Sequence, residues 1–458
     1  MITKVSSLIQ LMQALATNTP QVIEIQSSIL VPYPITLPAG YTLRGTGKSG
    51  SLISFNQGDG IGLTADNSIE DLRIFASPSC RAVFLLTGLS DMGTITLRNL
   101  KVTGQVSLIT REGTSRLKLF ANDIDVISCD ARGYSELPQK YGVTVYQGAF
   151  TLYNFNGNPD SEINALLINI SAGRADAPVT GSGILIAGFS DNGGMVNVEK
   201  LTTGPVYANG MLPYGTADII TGGIFINYGV FANEIINEGE VVTYGANDMV
   251  LDNWGTVNRW TANEQLISYG PSGIGFVNFG TVTEFVAGKE IITYGLGARG
   301  FNQYDGTIAS IKVKGIATHG DGAIGIQISK PIGTIEIEKA LITYGAVGNS
   351  LVKGVLTMLP AIAFSIMPGG FVKRLTVGGD ISSSGDHADT VHIDSGTLQA
   401  IDIGGKIAAS GQMANAIVIK NGGTSALTNV RAGSKHGKAL VNENGLISDR
   451  TGFEEQVI

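Results

Sequence analysis

The chain has 458 residues, a formal net charge of −8, 15% charged residues and 62 glycines. That sign argues against nucleic acid, whose partners carry basic patches, and disfavours an anionic membrane surface. No apolar run approaches the roughly 18 residues of a membrane-crossing helix. So much glycine with so little charge suits many short strands joined by tight turns.

Residues 1–20 read as a short amphipathic helix, because Val5, Leu8, Met12 and Leu15 recur on one helical face. Gln10 and Gln13 interrupt the apolar run, which disfavours a cleaved leader. A helix here would cap the first coil of a repeat structure, whose open edge needs covering. With no convincing leader, a cytoplasmic or phage-type, export-independent location is expected. From Val22 short strands begin. Arg44, Arg73 and Arg98 each follow a leucine and are assigned to an outer, solvated face. Residues 130–162 break the rhythm with polar loops at 130–141 and 154–160, and long loops on a rigid scaffold are where binding sites tend to sit. Cys80 and Cys129 read as free core cysteines and fix no redox compartment.

The organising stretch is 219–345. Gly245, Gly270, Gly295, Gly320 and Gly345 recur every 25 residues, the mark of a solenoid whose turns cannot bury their apolar faces alone. Phe225, Leu251, Phe276, Phe301 and Ile326 form an apolar column. Asn227, Asn253, Asn278 and Gln303 form an amide column, followed by aromatics at Tyr228, Trp254, Phe279 and Tyr304. Each repeat holds three short β runs and none with helical periodicity, which excludes leucine-rich, ankyrin and tetratricopeptide repeats. A parallel β-helix of three strands per turn and about 25 residues per coil remains. Stacked amides inside such a coil donate to one another, as in cross-β ladders. About fifteen residues are inserted within 346–384, because the glycine column next appears at Gly385. The repeats are assigned to 21–445, with a charged tail at 446–458.

The coil length, the amide column and the aromatic stacks resemble the right-handed parallel β-helix superfamily that includes pectate and pectin lyases. Gly40–Gly47 is similar to the opening coil of many such chains. The resemblance implies an all-β, single-stranded right-handed parallel β-helix with an N-terminal capping helix. It also implies a carbohydrate polymer or oligosaccharide as partner, handled by a lyase, hydrolase or epimerase in a groove along one sheet. The alternative is a non-catalytic solenoid, a binding or structural module of adhesin or spike type. No cofactor is expected, and familiar catalytic motifs are absent. Gly45-Thr46-Gly47-Lys48-Ser49 lacks the spacing and helix of a phosphate loop and is discarded. Asp386, His387, Asp389, His392 and Asp394 have metal-ligand chemistry, but strand parity sends His392 and Asp394 outward. There Asp394 would pair with Lys420 of the next coil, so no metal is assigned.

One departure from a column nominates a site. His319 stands where Tyr244, Tyr269, Tyr294 and Tyr344 occupy the other repeats, with Asp321 two residues on and Arg299 shortly after Tyr294. His319, Asp321 and Arg299 could supply acid–base chemistry near neutral pH, and Tyr269, Tyr294 and Tyr344 could offer faces to sugar rings. The same outward Tyr/Ile stripe would need cover, from inserted loops or from a second copy in a homo-oligomer.

Overall fold

The computed structural model describes residues 1–458 except Lys48, Ser49, Thr87 and Lys353. Part of the discarded Gly45–Ser49 stretch therefore lies outside the described residues. The fold is all-β, built from parallel strands in long stacked ladders, with one short helix among the described residues. The chain forms two compact units, one of residues 1–140, 144–210 and 221–238, the other of residues 141–143, 211–220 and 239–458.

In the first unit the strand Ile2–Val5 pairs in parallel with Val22–Ile25, and the helix Leu8–Leu15 lies between them in sequence. Ser7 caps the helix by accepting the Gln10 N–H. The buried face is Leu11, Ala14 and Leu15, not the face counted from Val5. Val5 belongs to the preceding strand, so the helical period starts only at Leu8. Long strands follow, each on the last: Ser68–Phe75, Asp91–Thr103, Arg116–Ser128, Glu162–Ala172 and Met195–Asn209. Asp71, Asn99, Asp123 and Asn169 stack at the bend of the first four, with φ of 54°, 56°, 63° and 56°. Asn and Asp tolerate this left-handed conformation best among residues with a Cβ. Their side chains also bond along the column, Asn99 Nδ2 to Asp71 Oδ1 at 2.5 Å and Asn169 Nδ2 to Asp123 Oδ1 at 3.0 Å. Arg44 pairs with Glu24, and Arg98 with Glu70 at 2.7 Å. Within 130–162, Gly148–Asn154 is a buried strand paired with Gln105–Thr110 and Ser182–Ala187. Cys80 and Cys129 are free thiols.

The second unit carries the regular repeats. One ladder runs Asp248–Asn253, Ile274–Asn278, Arg299–Gln303, Ile324–Ile328 and Phe364–Ile366, all parallel. Another runs Thr256–Ala262, Thr281–Ala287, Thr307–Val313, Pro331–Ile337 and Phe371–Val377. A further one runs Val241–Thr243, Leu266–Ser268, Ile291–Thr293, Ile316–Thr318 and Leu341–Thr343. The β-branched and aromatic runs that glycine punctuates in the sequence are these strands. Val241, Leu266, Ile291, Ile316 and Leu341 are buried, and Phe276 stacks inside on Phe285 and Phe301 at 4.1 and 5.5 Å between ring centres. Asn253 Nδ2 donates to Asn278 Oδ1 at 2.8 Å and Asn278 Nδ2 to Gln303 Oε1 at 3.1 Å, all fully buried. Gln303 closes the chain on the Asp305 carbonyl.

The residues past Gly345 include an antiparallel hairpin, Val347–Val352 with Val355–Pro360. Ser350 Oγ donates to the Gly297 carbonyl and the Leu351 N–H to Ser272 Oγ, which tie the hairpin to earlier repeats. Parallel register resumes beyond it, Ile326 on Phe364 and Leu341 on Ile381. Residues 446–458, read above as a tail, hold the strands Leu446–Asp449 and Glu454–Glu455. These pair with Thr424–Ala426 and Arg431–Ser434, so the ladders still offer an edge that the segment extends.

Asn278→Leu should strand the Asn253 donor and the Gln303 acceptor, each at about 1–3 kcal/mol. The expected outcome is a melting temperature lower by several degrees, with any ligand still bound at low temperature. Unchanged melting would show that the amide ladder carries no stability.

Candidate functional site

Two stacked columns of the second unit each hold one charged residue among uncharged ones. Met249, Ile274, Arg299 and Ile324 share a column, so Arg299 puts a cation where its neighbours put aliphatic side chains. Asp252, Val277, Asn302 and Gln327 share another. Arg299 and Asp252 line one cavity of about 530 Å3, within the range of small-molecule sites. They lie two rungs apart in the ladder and three residues apart along the strand, roughly 14 Å at the backbone.

An aromatic flank closes one side. Phe279 and Tyr304, at the ends of adjacent strands, stack at 5.0 Å, and Tyr141 stacks on Phe279 at 4.5 Å while meeting the Trp254 ring edge-on at 5.3 Å. Tyr141 comes from the 130–141 loop and sits at φ 57°, a conformation rare for a bulky side chain and one that the surrounding contacts must hold. Asn247, Ser272, Asp305 and Lys330 complete the polar lining, and Leu351 and Gly354 of the hairpin reach the same cavity.

Among the described residues the two charged groups are buried without counter-ions. Asp252 is fully buried, and neither carboxyl oxygen makes a well-formed hydrogen bond within that set. Burial pushes its carboxyl well above the usual range, although the Trp254 indole and the Asn253 N–H favour the charged form. Asp252 is therefore held toward its neutral, proton-donating form. Arg299 is 3% exposed. Burial lowers its guanidinium below the ordinary value, with Tyr304 acting in the opposite sense. Among the described residues its partner is a neutral amide, Gln327 Oε1, 3.3 Å from Nε. Asn302, in the Asp252 column, also keeps both amide atoms buried and unpartnered. At the rim Lys330 lies 3.5 Å from Asp305 in a half-exposed pair.

A second concavity, in the first unit, contrasts with this one. Arg111 there is clamped by Glu136 at 2.6 and 2.9 Å, and Asn156 Nδ2 donates to the Thr114 carbonyl. These groups are satisfied by protein, whereas in the first cavity the Asp252 carboxyl is left without a well-formed partner among the described residues.

The residues nominated from sequence fall in two places. Arg299 lines the cavity; His319, Asp321, Tyr269, Tyr294 and Tyr344 do not. His319 sits between Tyr294 and Tyr344, 4.7 Å from each and within 14° of parallel, and Tyr269 and Tyr244 continue the stack at 5.1 and 5.5 Å. Both faces of Tyr269 and of Tyr294 are covered by neighbouring rings, so their exposed surface is mainly edge and hydroxyl, while Tyr344 ends the stack with His319 on one face. Asp321 Oδ1 accepts the Ala346 N–H and its carbonyl accepts the Gly297 N–H, the duties of a turn residue. Asp252, Phe279, Tyr304, Tyr141 and Lys330 escaped the sequence reading as site residues. The available signal was Arg299, a charge in an otherwise aliphatic column; Asp252, in a column with Val277, Asn302 and Gln327, gave a weaker one. In the His392 segment, Asp394 lies opposite Lys420 at 3.6 Å.

Compared with protein-family models, with curated proteins and with solved structures, the chain matches none.

Because the folded state raises the Asp252 pKa above the unfolded value near 3.9, the native state holds the extra proton. Stability therefore falls as pH rises from that value through the folded pKa. Asp252→Asn removes this slope. The variant should melt higher than wild type at pH 7, with the gap closing toward pH 4; parallel melting curves across that range would contradict an uncompensated Asp252. His319→Tyr should restore the ring column, leave melting unchanged or raised, and retain cavity ligands. Lost turnover or binding in a folded His319→Tyr protein would return the site to the ring stack.

Proposed function

We propose that the chain is a right-handed parallel β-helix with three strands per coil, akin to the pectin-lyase-like superfamily, and that its second unit recognises a saccharide. The parallel ladders and their repeat spacing of 25 or 26 residues support the fold reading. The observation that carries the functional reading is the cavity: stacked rings along one flank, with Asp252 buried and without a well-formed partner among the described residues and Arg299 held by a single amide oxygen. A sugar ring has apolar faces and polar edges, so it suits a site that offers aromatic surface together with Asn247, Ser272 and a protonated Asp252.

Asp252 also favours a second reading, glycoside hydrolysis. That reaction commonly sets a protonated carboxyl beside an ionised one, and Asp305 is the other carboxylate lining the cavity. Simple recognition, as in a non-catalytic solenoid, needs the same rings and no second acid.

The test is calorimetric titration of neutral and acidic oligosaccharides, with parallel assays for new reducing ends and unsaturated ends. Tyr304→Ala should weaken binding by about 2- to 13-fold, the equivalent of roughly 0.5–1.5 kcal/mol for one aromatic contact, without unfolding the protein. Equal affinity in Tyr304→Ala and wild type would remove the cavity from consideration, and release of new ends would extend recognition to cleavage.

A further inference from the structure

Resting on the saccharide reading of the same cavity, we propose that Arg299 forms an anion subsite, where its guanidinium takes a carboxylate, sulfate ester or phosphate ester of the ligand in a two-pronged pair. The first ground is the cost of the residue as it stands. A guanidinium cannot shed its charge at any working pH, so burying one is unfavourable until an anion or several acceptors meet it. Arg299 is almost wholly buried, lines the cavity, and among the described residues donates to one neutral amide oxygen.

The second ground is that the fold does not ask for the charge. The column neighbours Met249, Ile274 and Ile324 show that this position accepts an aliphatic side chain. A residue that breaks its column at the expense of packing is where a functional constraint is expected.

The third ground concerns the nearby acids. Asp305 is engaged by Lys330 at the rim. Asp252 lies two rungs away, and the burial that keeps it toward the neutral form stops it from repelling an anion. Carboxylate, sulfate and phosphate oxygens all match the fork of N–H donors on a guanidinium. The net charge of the chain is −8, so an anion would be drawn here by this local arrangement and not by the long-range field.

The experiment uses the full chain and inorganic sulfate and phosphate as probes, titrated at constant ionic strength against chloride. A neutral and an acidic oligosaccharide of the same backbone form a second arm, the acidic member supplied in carboxylated and in sulfated form. Wild type, Arg299→Lys and Arg299→Ile are compared. The expected result is saturable sulfate or phosphate binding by wild type, weakened at least about tenfold in Arg299→Ile while that variant melts higher, its column restored. Arg299→Lys should keep part of the affinity, having the charge without the fork. Sulfate raises melting temperatures generally through surface exclusion, so the same increment in wild type and Arg299→Ile, with no saturable binding, would overturn the proposal. If Arg299→Ile does not fold, Arg299→Lys decides, because full-strength binding there shows that no two-pronged pair forms. If sulfate binding depends on Arg299 but no oligosaccharide binds, the anion subsite stands and the saccharide reading falls. If neutral and acidic oligosaccharides bind wild type equally well, the saccharide reading stands and the anion subsite falls. Where the acidic members bind more tightly than the neutral one, the carboxylated and sulfated arms tell which anion the cavity prefers.

Discussion

Parallel strands in register set every side chain about 4.8 Å from its counterpart one repeat away, and most of the second unit follows from that spacing. Like must tolerate like. Aliphatic residues do so by excluding water together, as Val241, Leu266, Ile291, Ile316 and Leu341 do. Primary amides do so because each is donor and acceptor at once, which is why Asn253, Asn278 and Gln303 can be buried in line. Rings do so by stacking, from Tyr244 through His319 to Tyr344. Charges cannot follow the rule unless their sign alternates, so Arg259 faces Glu284 and Lys312 faces Glu336 on the exposed side.

A buried charge with no opposite in its column breaks the rule, as Asp252 and Arg299 do. Asp252 can relieve its position by staying protonated; Arg299 has no such option. The asymmetry makes the cavity more than a gap between side chains, because it presents one proton donor and one permanent cation beside a wall of rings. Neither contributes to packing as an aliphatic residue would, so the cavity holds its chemistry at some cost to the stability of the repeats.

The periodic part of this design was legible in the sequence. The glycine spacing, the apolar column and the amide column each named their neighbours 25 residues away, and the ladder Asn253–Asn278–Gln303 could be written down before any coordinates. The site was half legible. Arg299 was grouped with residues that the fold places elsewhere, because its position after Tyr294 in sequence says nothing about which face of the strand it leaves from. His319 drew notice as the odd member of a ring column, yet an imidazole stacks between phenols with little disturbance. The odd members that matter change charge and not merely ring. Tyr141 was beyond reach altogether, since no periodic signal links a loop residue to Trp254 and Phe279 more than a hundred positions later. The helix face was missed for a smaller reason, Val5 being a strand residue that happens to fall on a helical spacing.

The hairpin Val347–Pro360 shows what the stacking rule leaves unconstrained. The rungs on either side of it, Ile326 on Phe364 and Leu341 on Ile381, keep parallel register as though nothing had been added. Register binds strands to strands and is indifferent to the length of chain between them. A lineage of such proteins can therefore lengthen its corners without renegotiating its core, and the hairpin already reaches the cavity through Leu351 and Gly354. Two relatives could share every rung of the ladder and still part company in what they hold, the difference lying entirely in segments that the repeat never counted.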